Sequence, residues 1–302
     1  MVCPVMIPNF GSHECDAHKP RIGTYPSCQR RGTSGERKAD MNIPSNPRIY
    51  DLEQPRYFGA PIYPGHAPGY FYTLHRRHER VMGEARTGAS GFMYTTEHSG
   101  THIDALCHQA EDLHLYGGRE VDASVQTPYG FTELGVETIA PLITRGVLLD
   151  IARQRGVDHI GAGNPIRRDE VEAAAQNEGV SIGEGDVVLL RTGNGALWHD
   201  PSVYLQAGGV NAEASTWLAD RGVRAVGADN VAWDEVGVVD PDLQVTLPGH
   251  VILLVRNGIY ILENLFLEGL ARDECYEFTF ICLPLKLRGA TGSPVRPVAV
   301  AP

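Results

Sequence analysis

The sequence lacks any apolar run of about 18 residues, the length that a membrane-spanning helix requires. Its first twenty residues also lack the basic start and clean apolar stretch of a secretory signal. Positive charge is scarce, because 26 Lys and Arg face 37 Asp and Glu and leave a net charge of -11. Such an acidic balance disfavours nucleic acid and anionic membranes as partners. We therefore expect a cytoplasmic protein that binds neither.

Cysteine is also sparse, with six residues in a chain of 302. A chain of this length does not need a disulfide framework, and so few thiols agree with a reducing compartment. Cys3, Cys15 and Cys28 lie near two N-terminal histidines, but no pair among them has CxxC spacing. A small zinc site there remains an alternative with little support from spacing.

The composition changes sharply after the first forty-six residues. Residues 1–46 are rich in Gly, Pro, Ser, Arg and Lys and show neither helical nor strand periodicity. This pattern predicts a flexible N-terminal extension. The remaining residues, 47–302, are numerous enough to bury one sizeable core, and we predict that they form a single domain.

Strand and helix patterns alternate through the predicted domain. Amphipathic helices are predicted at 168–177 and 211–220. The residues from His250 to Glu263 predict a β-hairpin, because Asn257-Gly258 between two apolar runs suits a type I′ turn. Further short β-branched runs predict buried strands at 146–151, 186–191, 223–227, 276–283 and 295–300. The alternation indicates an α/β fold, whose strand order the patterns leave open.

One short segment concentrates groups that can bind a metal: His98, His102, Asp104 and His108 lie within eleven residues. The first three have the same parity, so an extended strand would point them to one face. Gly100 between them permits a close backbone approach. A helical turn after Asp104 would return His108 to the same face, beside the metal.

This donor set suggests hydrolytic chemistry. Imidazole and carboxylate groups are suitable ligands for zinc, manganese or iron. A bound divalent ion lowers the pKa of its water from about 15.7 towards 7, and a neighbouring histidine can transfer the proton. The segment therefore predicts a metal-dependent hydrolase that acts on an amide, a lactam or an ester.

A purely structural interpretation competes with this one, because a single histidine is more often solvated or a satisfied core residue than a ligand. That interpretation suits six scattered residues: His66, His75, His78, His114, His159 and His199. It fits the 98–108 cluster poorly, because partly buried imidazoles without an ion would lose hydration. His250 and Glu263, as cross-strand neighbours in the predicted hairpin, could reach the same site, although such residues are often merely solvated.

The segment from His98 to His108 matches the pattern HxGTHxDxxxH, and in this it resembles the putative cyclase family. That family includes bacterial kynurenine formamidase and isatin hydrolase. Other stretches are similar to the family in order and spacing, so that the resemblance covers about residues 47–302: Asp51-Leu52, 59–65, 145–150, His250 with 263–265, 284–286 and 289–296.

The resemblance implies a fold and a set of residue roles. The fold would be a swivelling β/β/α domain around a mixed β-sheet or barrel, commonly assembled as a homodimer or a larger homo-oligomer. His108 would be the general acid/base, and Tyr63 would form an aromatic wall near the substrate. The metal ligands, for one or two ions of Mn²⁺ or Zn²⁺, would be His98, His102, Asp104, His250 and Glu263.

The resemblance also implies a reaction, cleavage of a C–N bond in an isatin-like lactam or an aryl formamide. Extra length around residues 110–140 and 195–235 favours the isatin-hydrolase-like subgroup. A metal-dependent cyclase, dehydratase or lactonase is an alternative, since the same groups can act on an ester or remove a proton. A metal-binding protein without catalysis is a further alternative, although such a protein would be expected to lack His108.

Overall fold

The computed structural model describes residues 46–302. All but the last residue of the predicted N-terminal extension, and the cysteines of the alternative zinc site, lie outside the described residues. The strands are β1 Arg48–Asp51, β2 Tyr70–Arg76, β3 Ser90–Thr95, β4 His102–Asp104, β5 His114–Leu115, β6 Arg119–Glu120, β7 Gln126–Thr127, β8 Gly130–Phe131, β9 Leu142–Asp150, β10 Val187–Arg191, β11 Ala225–Ala228, β12 Tyr260–Glu263, β13 Glu277–Cys282, β14 Gly292–Pro294 and β15 Val298–Ala301.

Helices lie between the later strands. They are α1 Ile151–Arg155, α2 Arg168–Asn177, α3 Pro201–Tyr204, α4 Ala212–Ala219, α5 Pro248–His250, which continues as a π-helix over Val251–Asn257, and α6 Glu268–Arg272. Short 3₁₀ turns cover Pro64–His66, Tyr116–Gly118, Val136–Thr138 and Asn194–Leu197. None of the helices in residues 46–302 is both long and apolar enough to cross a bilayer.

Nine strands form one mixed sheet in the order β1-β15-β13-β9-β10-β11-β12-β4-β14. The four central strands, β9 to β12, are parallel to one another, and the strands on either side pair antiparallel. Strands β10 to β12 are almost fully buried, as expected for parallel strands that are covered on both faces. The predicted α/β fold around a mixed sheet is confirmed.

Local sequence signals explain why the two predicted helices form where they do. Helix α2 spans the predicted residues, and the Glu170 carboxylate accepts a hydrogen bond from the Arg167 backbone N–H at 3.0 Å. Helix α4 begins after Asn211, whose side chain accepts from the Ala214 N–H at 2.9 Å. Both contacts satisfy backbone donors that the first helical turn leaves free.

The predicted hairpin is wrong in its first half. Residues 248–257 are helical, and Gly258, with φ +66°, ends that helix in the left-handed conformation instead of forming a hairpin turn. Strand β12 follows as expected, but it pairs in parallel with β11. Parallel neighbours need a crossover connection, and the helix supplies part of it. A short, fully apolar run does not reveal its period, so the sequence pattern could not separate helix from strand here.

Strands β2 and β3 form a separate two-stranded hairpin outside the main sheet. Phe71 pairs with Tyr94 and Tyr72 pairs with Met93, and all four side chains are largely exposed. Because successive residues of a strand face opposite sides, both faces of this hairpin present apolar surface.

Candidate metal centre and active site

The site lies where β12 meets β4. Antiparallel pairing places Glu263 opposite His102 and Ile261 opposite Asp104. His98 precedes the strand in a turn that Gly100, with φ +63°, allows. On the other side of β4, Gly292 pairs with Asp104, and a Cβ at that position would lie 2.7 Å from the His98 ring. Glycine at this position therefore leaves room for the imidazole.

Asp104 lies at the centre of the site and is fully buried. Its Oδ1 lies 2.8 Å from His98 Nδ1 and 3.4 Å from His102 Nε2, and its Oδ2 lies 3.7 Å from His250 Nε2. Neither carboxylate oxygen, nor His98 Nδ1, has a hydrogen-bond partner despite this crowding. Buried polar atoms that converge without hydrogen bonding one another fit a bound cation, because each then keeps a lone pair for the ion.

Glu263 lies between the His102 and His250 imidazoles. Its Oε2 lies 3.3 Å from His102 Nε2, and its Oε1 lies 3.3 Å from His250 Nε2. Oε1 also accepts a hydrogen bond from the Trp233 backbone N–H at 2.9 Å. The carboxylate is thereby held between the two imidazoles, in a position from which either oxygen can face an ion.

The three imidazoles of His98, His102 and His250 each have an outer hydrogen-bond partner. His102 Nδ1 lies 2.8 Å from the carbonyl oxygen of Gly100, and His98 Nε2 lies 2.8 Å from Thr291 Oγ1. Thr291 donates in turn to the Glu97 carboxylate, so its oxygen is free to accept from His98. These contacts direct His102 Nε2 and His98 Nδ1 towards the centre, as is usual for metal-ligating histidines.

Asp234 is the outer partner of His250. Its Oδ2 lies 2.7 Å from His250 Nδ1, and the same carboxylate accepts from the backbone N–H groups of Gly249 and His250 at 2.6 and 3.1 Å. The contact turns His250 Nε2 towards Asp104 and Glu263. His250 thus reaches the site from a helical turn that Asp234 anchors, and not from the predicted strand.

His102 and His250, which lie close to carboxylates, have raised pKa values in the absence of a metal ion. Burial alone would lower them, but the carboxylates of Asp104 and Glu263 raise the pKa of His102 to about 10. Asp234 and Glu263 likewise raise the pKa of His250 well above its ordinary value. A cation that binds here must displace these protons, because only the neutral imidazole is a ligand.

The two carboxylates shift in the opposite direction. Burial would raise both pKa values, and so, for Glu263, would its carboxylate neighbour. The surrounding imidazoles lower the pKa of Asp104 well below its ordinary value and that of Glu263 to about 2. Both groups therefore remain ionised at neutral pH, and the centre keeps two negative charges for a divalent ion.

His108 lies beside the cluster, in a turn that the His108 N–H closes by donating to the Ala105 carbonyl at 2.9 Å. Its ring centroid is 4.1 Å from that of His98 and 6.0 Å from that of His250. Burial lowers the pKa of His108 to about 3. The ring is therefore neutral at pH 7.

His66 was expected to be an ordinary solvated or core histidine, and that expectation is wrong. Its ring stacks on His98 at 4.6 Å and lies 5.7 Å from His108, and the three residues can bring their nitrogens within 4.8 Å of one another. Tyr63, the predicted substrate wall, lies 5.4 Å from the His66 ring. The other five histidines assigned to that interpretation are exposed: His75, His78, His114, His159 and His199.

The structure thus brings the seven residues singled out from the sequence into one region, while their individual roles remain predictions. Sequence reasoning missed Asp234, Thr291 and His66. Asp234 lies in a loop far from the motif and carries no local signal, whereas Thr291 lies in 289–296, a stretch that had been compared with the family without a role for this residue. His66 could have been noticed, because it follows Tyr63-Pro64-Gly65, a stretch that had already been compared with the family.

This fold and this site define a class, an α/β protein with a buried histidine and carboxylate metal centre beside a neutral histidine. A sequence profile described as Putative cyclase matches residues 50–235, more than half of the chain. The chain belongs to that family. The donor set, which can hold a metal ion, agrees with the metal centre that the sequence predicted.

Individual relatives agree with this assignment. Kynurenine formamidase of Sphingopyxis alaskensis is 28% identical over 253 residues, which cover 83% of this chain and 97% of the relative. Kynurenine formamidase of Bacillus cereus is 30% identical over 249 residues, which cover 82% and 95%. A crystal structure described as a novel cyclase has a TM-score of 0.74 at 28% identity, covering 85% of this chain and 89% of that one.

Isatin hydrolase A from Ralstonia solanacearum shares the fold, with a TM-score of 0.65 and coverage of 85% of this chain and 92% of that one. Its sequence identity is 24%, lower than that of the two kynurenine formamidases. At this level the likeness shows a common architecture, and the substrate has to be argued from the site.

Proposed function

We propose that this protein hydrolyses a C–N bond, other than a peptide bond, in a small amide: an aryl formamide or an isatin-like lactam. The observation that carries the proposal is the buried Asp104 carboxylate, which has no hydrogen bonds and is surrounded by imidazoles, beside the neutral ring of His108. A buried carboxylate that keeps free lone pairs among imidazoles suits a bound cation, and a base next to that cation suits hydrolysis.

The amide preference is supported by the named relatives of 28 to 30% identity, which are kynurenine formamidases. The isatin hydrolase neighbours keep a lactam among the candidate substrates through their shared fold alone. In this proposal Tyr63, half-buried next to His66, forms an apolar and hydrogen-bonding wall for an aromatic substrate.

The proposed metal is Mn²⁺ or Zn²⁺, since imidazole and carboxylate donors suit both. A bound divalent ion would polarise the substrate carbonyl and lower the pKa of a bound water. Two overlapping donor groups share Asp104, one with His98 and His102 and one with His108 and His250. Glu263 lies between His102 of the first group and His250 of the second, so the site has enough donors for one ion or for two.

The chain's own residues carry the proton transfers in this proposal. His108 lies beside the centre with a neutral ring, and its nitrogen would take a proton during attack and return it to the leaving nitrogen. Asp104 and Glu263 keep the ligand imidazoles oriented. Both carboxylates stay ionised near neutral pH, so their negative charge does not change there. Asp234 keeps His250 in the tautomer whose Nε2 faces the centre.

The test combines elemental analysis of the purified protein with hydrolysis assays on aryl formamides, isatin and other lactams, and lactones. Turnover of a formamide or a lactam that is lost on chelation and restored by Mn²⁺ or Zn²⁺ supports the proposal. Turnover of lactones alone would assign a lactonase instead. Stoichiometric metal without any turnover would assign a metal-binding protein without catalysis.

We also propose that the protein is a homodimer, with the β2–β3 hairpin covered by a second copy. An isolated two-stranded hairpin is marginally stable, and exposed apolar patches commonly mark interfaces. The segment 76–89 carries four arginines against two glutamates, whereas the whole chain has a net charge of -11, so a second copy offers the complementary charge.

Light scattering on a sizing column tests the dimer. Phe92 and Met93 are each more than half exposed. The double variant Phe92→Asp, Met93→Asp is expected to be monomeric. Tyr129→Asp, at a position that is 96% exposed on another hairpin, is the control and should leave the dimer intact. A wild-type protein that is monomeric at micromolar concentration would contradict the proposal.

A further inference from the structure

Asn264 links the two chain segments that carry the clustered ligands. It follows Glu263 directly, is 2% exposed, and has φ +55°. Asparagine is one of the few residues that tolerate this left-handed conformation. Its side chain consequently turns away from the direction of β12 and reaches the turn before His102.

The Asn264 amide contacts the carbonyl that orients His102. Its Nδ2 donates to the Gly100 oxygen at 3.1 Å, and the same oxygen lies 2.8 Å from His102 Nδ1. A carbonyl oxygen has two lone pairs and can accept both bonds. The Gly100 carbonyl is therefore held in the direction that keeps the proton of His102 on Nδ1 and leaves Nε2 facing the centre.

Tyr204 contacts the oxygen end of the amide, opposite the end that contacts the Gly100 carbonyl. Its hydroxyl lies 2.8 Å from Asn264 Oδ1 and is fully buried. Burial raises the pKa of Tyr204 well above its ordinary value, so the hydroxyl remains a donor. The hydroxyl also lies 3.2 Å from the Asp229 carbonyl, the longer of its two acceptor contacts. A rotated amide would place its oxygen against the Gly100 carbonyl and lose that hydrogen bond, and it would exchange the shorter bond from Tyr204 for one in which the phenol oxygen accepts.

The backbone of Asn264 adds a second connection between the same segments. Thr101 Oγ1 donates to the Asn264 carbonyl at 2.6 Å and accepts from the Gln54 N–H at 2.8 Å. The turn before His102 is thus attached to the end of β12 through both the side chain and the main chain of one residue. This attachment holds the backbone whether or not the amide is present, so the amide's own contribution can be separated by substitution.

We propose that Tyr204 and Asn264 are positioning residues for His102: the phenol orients the amide, the amide holds the Gly100 carbonyl, and that carbonyl sets the imidazole tautomer. The inference deepens the proposed metal centre and rests on it. It assigns a role to a tyrosine of helix α3, whose hydroxyl hydrogen-bonds to Asn264 and to the Asp229 carbonyl and which belongs to the small apolar cluster of Trp198, Val231 and Ala232.

The test is the affinity of the metal-free full-length protein for Mn²⁺ alone, measured by calorimetry for wild type and Tyr204→Phe. Loss of an outer-shell partner typically weakens metal binding about 10- to 100-fold, and we expect the lower end for this more distant hydroxyl. Tyr57→Phe is the matched control, since it removes a tyrosine hydroxyl that donates to the Trp198 carbonyl at 3.0 Å without reaching His102. Equal affinities for Tyr204→Phe and wild type would overturn the proposal.

A second variant and a second readout separate positioning from general destabilisation. Asn264→Gly keeps the positive φ accessible and removes the amide, so Mn²⁺ binding should fall further than in Tyr204→Phe. The visible absorption bands of bound Co²⁺ should shift in both variants and remain unchanged in Tyr57→Phe. Unshifted bands, or bands that shift equally in the control, would contradict the proposal. A wild-type protein that binds no metal would instead refute the proposed function.

Discussion

The candidate site combines two regions that reach it in different ways. One is the motif segment from His98 to His108, which supplies four groups from eleven consecutive residues. The other is a remote set, Asp234, His250 and Glu263, which comes from a loop, a helical turn and a strand end. The residues of the first region are close together in the sequence, whereas those of the second are close together only in the folded structure. The comparison separates groups that a pattern can reveal from groups that the fold has to assemble.

Asp104 belongs to the motif segment and also faces His250 of the remote set, so replacing it should have the largest effect. Asp104→Asn leaves a carboxamide that cannot supply the same charge to the His98 and His250 sides of the centre. We expect Mn²⁺ or Zn²⁺ affinity to fall by more than about 100-fold, beyond the effect of losing an outer partner, and turnover to be lost. The exposed Asp242→Asn is the control. Normal metal content in the Asp104 variant would contradict the proposed centre.

His108 distinguishes binding from chemistry within the motif segment. His108→Ala should retain bound metal while turnover falls about 10²- to 10⁴-fold, the usual contribution of general acid/base catalysis. Elemental analysis and steady-state kinetics on the same preparation measure both quantities. The exposed His114→Ala serves as the control. Unchanged turnover without His108 would remove its proposed role.

The raised pKa values of His102 and His250 predict that metal affinity depends on pH. Below those pKa values each imidazole holds a proton that an ion must displace, so affinity falls as pH falls. With both imidazoles protonated, the affinity should change about 100-fold per pH unit near neutrality, because each displaced proton contributes tenfold. Calorimetry in two buffers with different ionisation enthalpies counts the protons released. An affinity that is flat between pH 6 and 8 would contradict this expectation.

Substitutions of Asp234 and Thr291, which orient ligand imidazoles from outside, should lower metal affinity less than substitution of Asp104. Asp234→Asn should weaken metal binding about 10- to 100-fold, because a carboxylate supports His250 more strongly than an amide does. Thr291→Val, which removes the hydroxyl that faces His98, should cost less, since a neutral hydrogen bond contributes about 1 kcal/mol, or roughly five-fold. Calorimetry with Mn²⁺ compares the two variants. A larger loss for Thr291→Val would reverse the inferred order of support.

The sequence predicted the features that depend on residues close together in the chain, and it failed for features that depend on contacts between distant residues. The helix at 168–177 and the central buried strands were predicted because capping residues and apolar periodicity are local. The run 251–255 was misassigned because an all-apolar segment looks alike as a helix and as a strand. His66 was misjudged for a related reason: its stacking on His98 depends on a turn near Tyr63 that only tertiary packing brings to the motif.

The sequence by itself determined the donor chemistry of this protein, because the residue types and their spacing from His98 to His108 are local properties. It also pointed to His250 and Glu263 through a resemblance, although with the wrong local structure for the first. Only the tertiary structure decided which partner orients each imidazole, since Asp234, Thr291 and Asn264 meet the ligands through contacts between distant segments. Hydrogen bonds of this kind depend on sub-ångström placement, which strand pairing and helix packing decide and residue spacing does not.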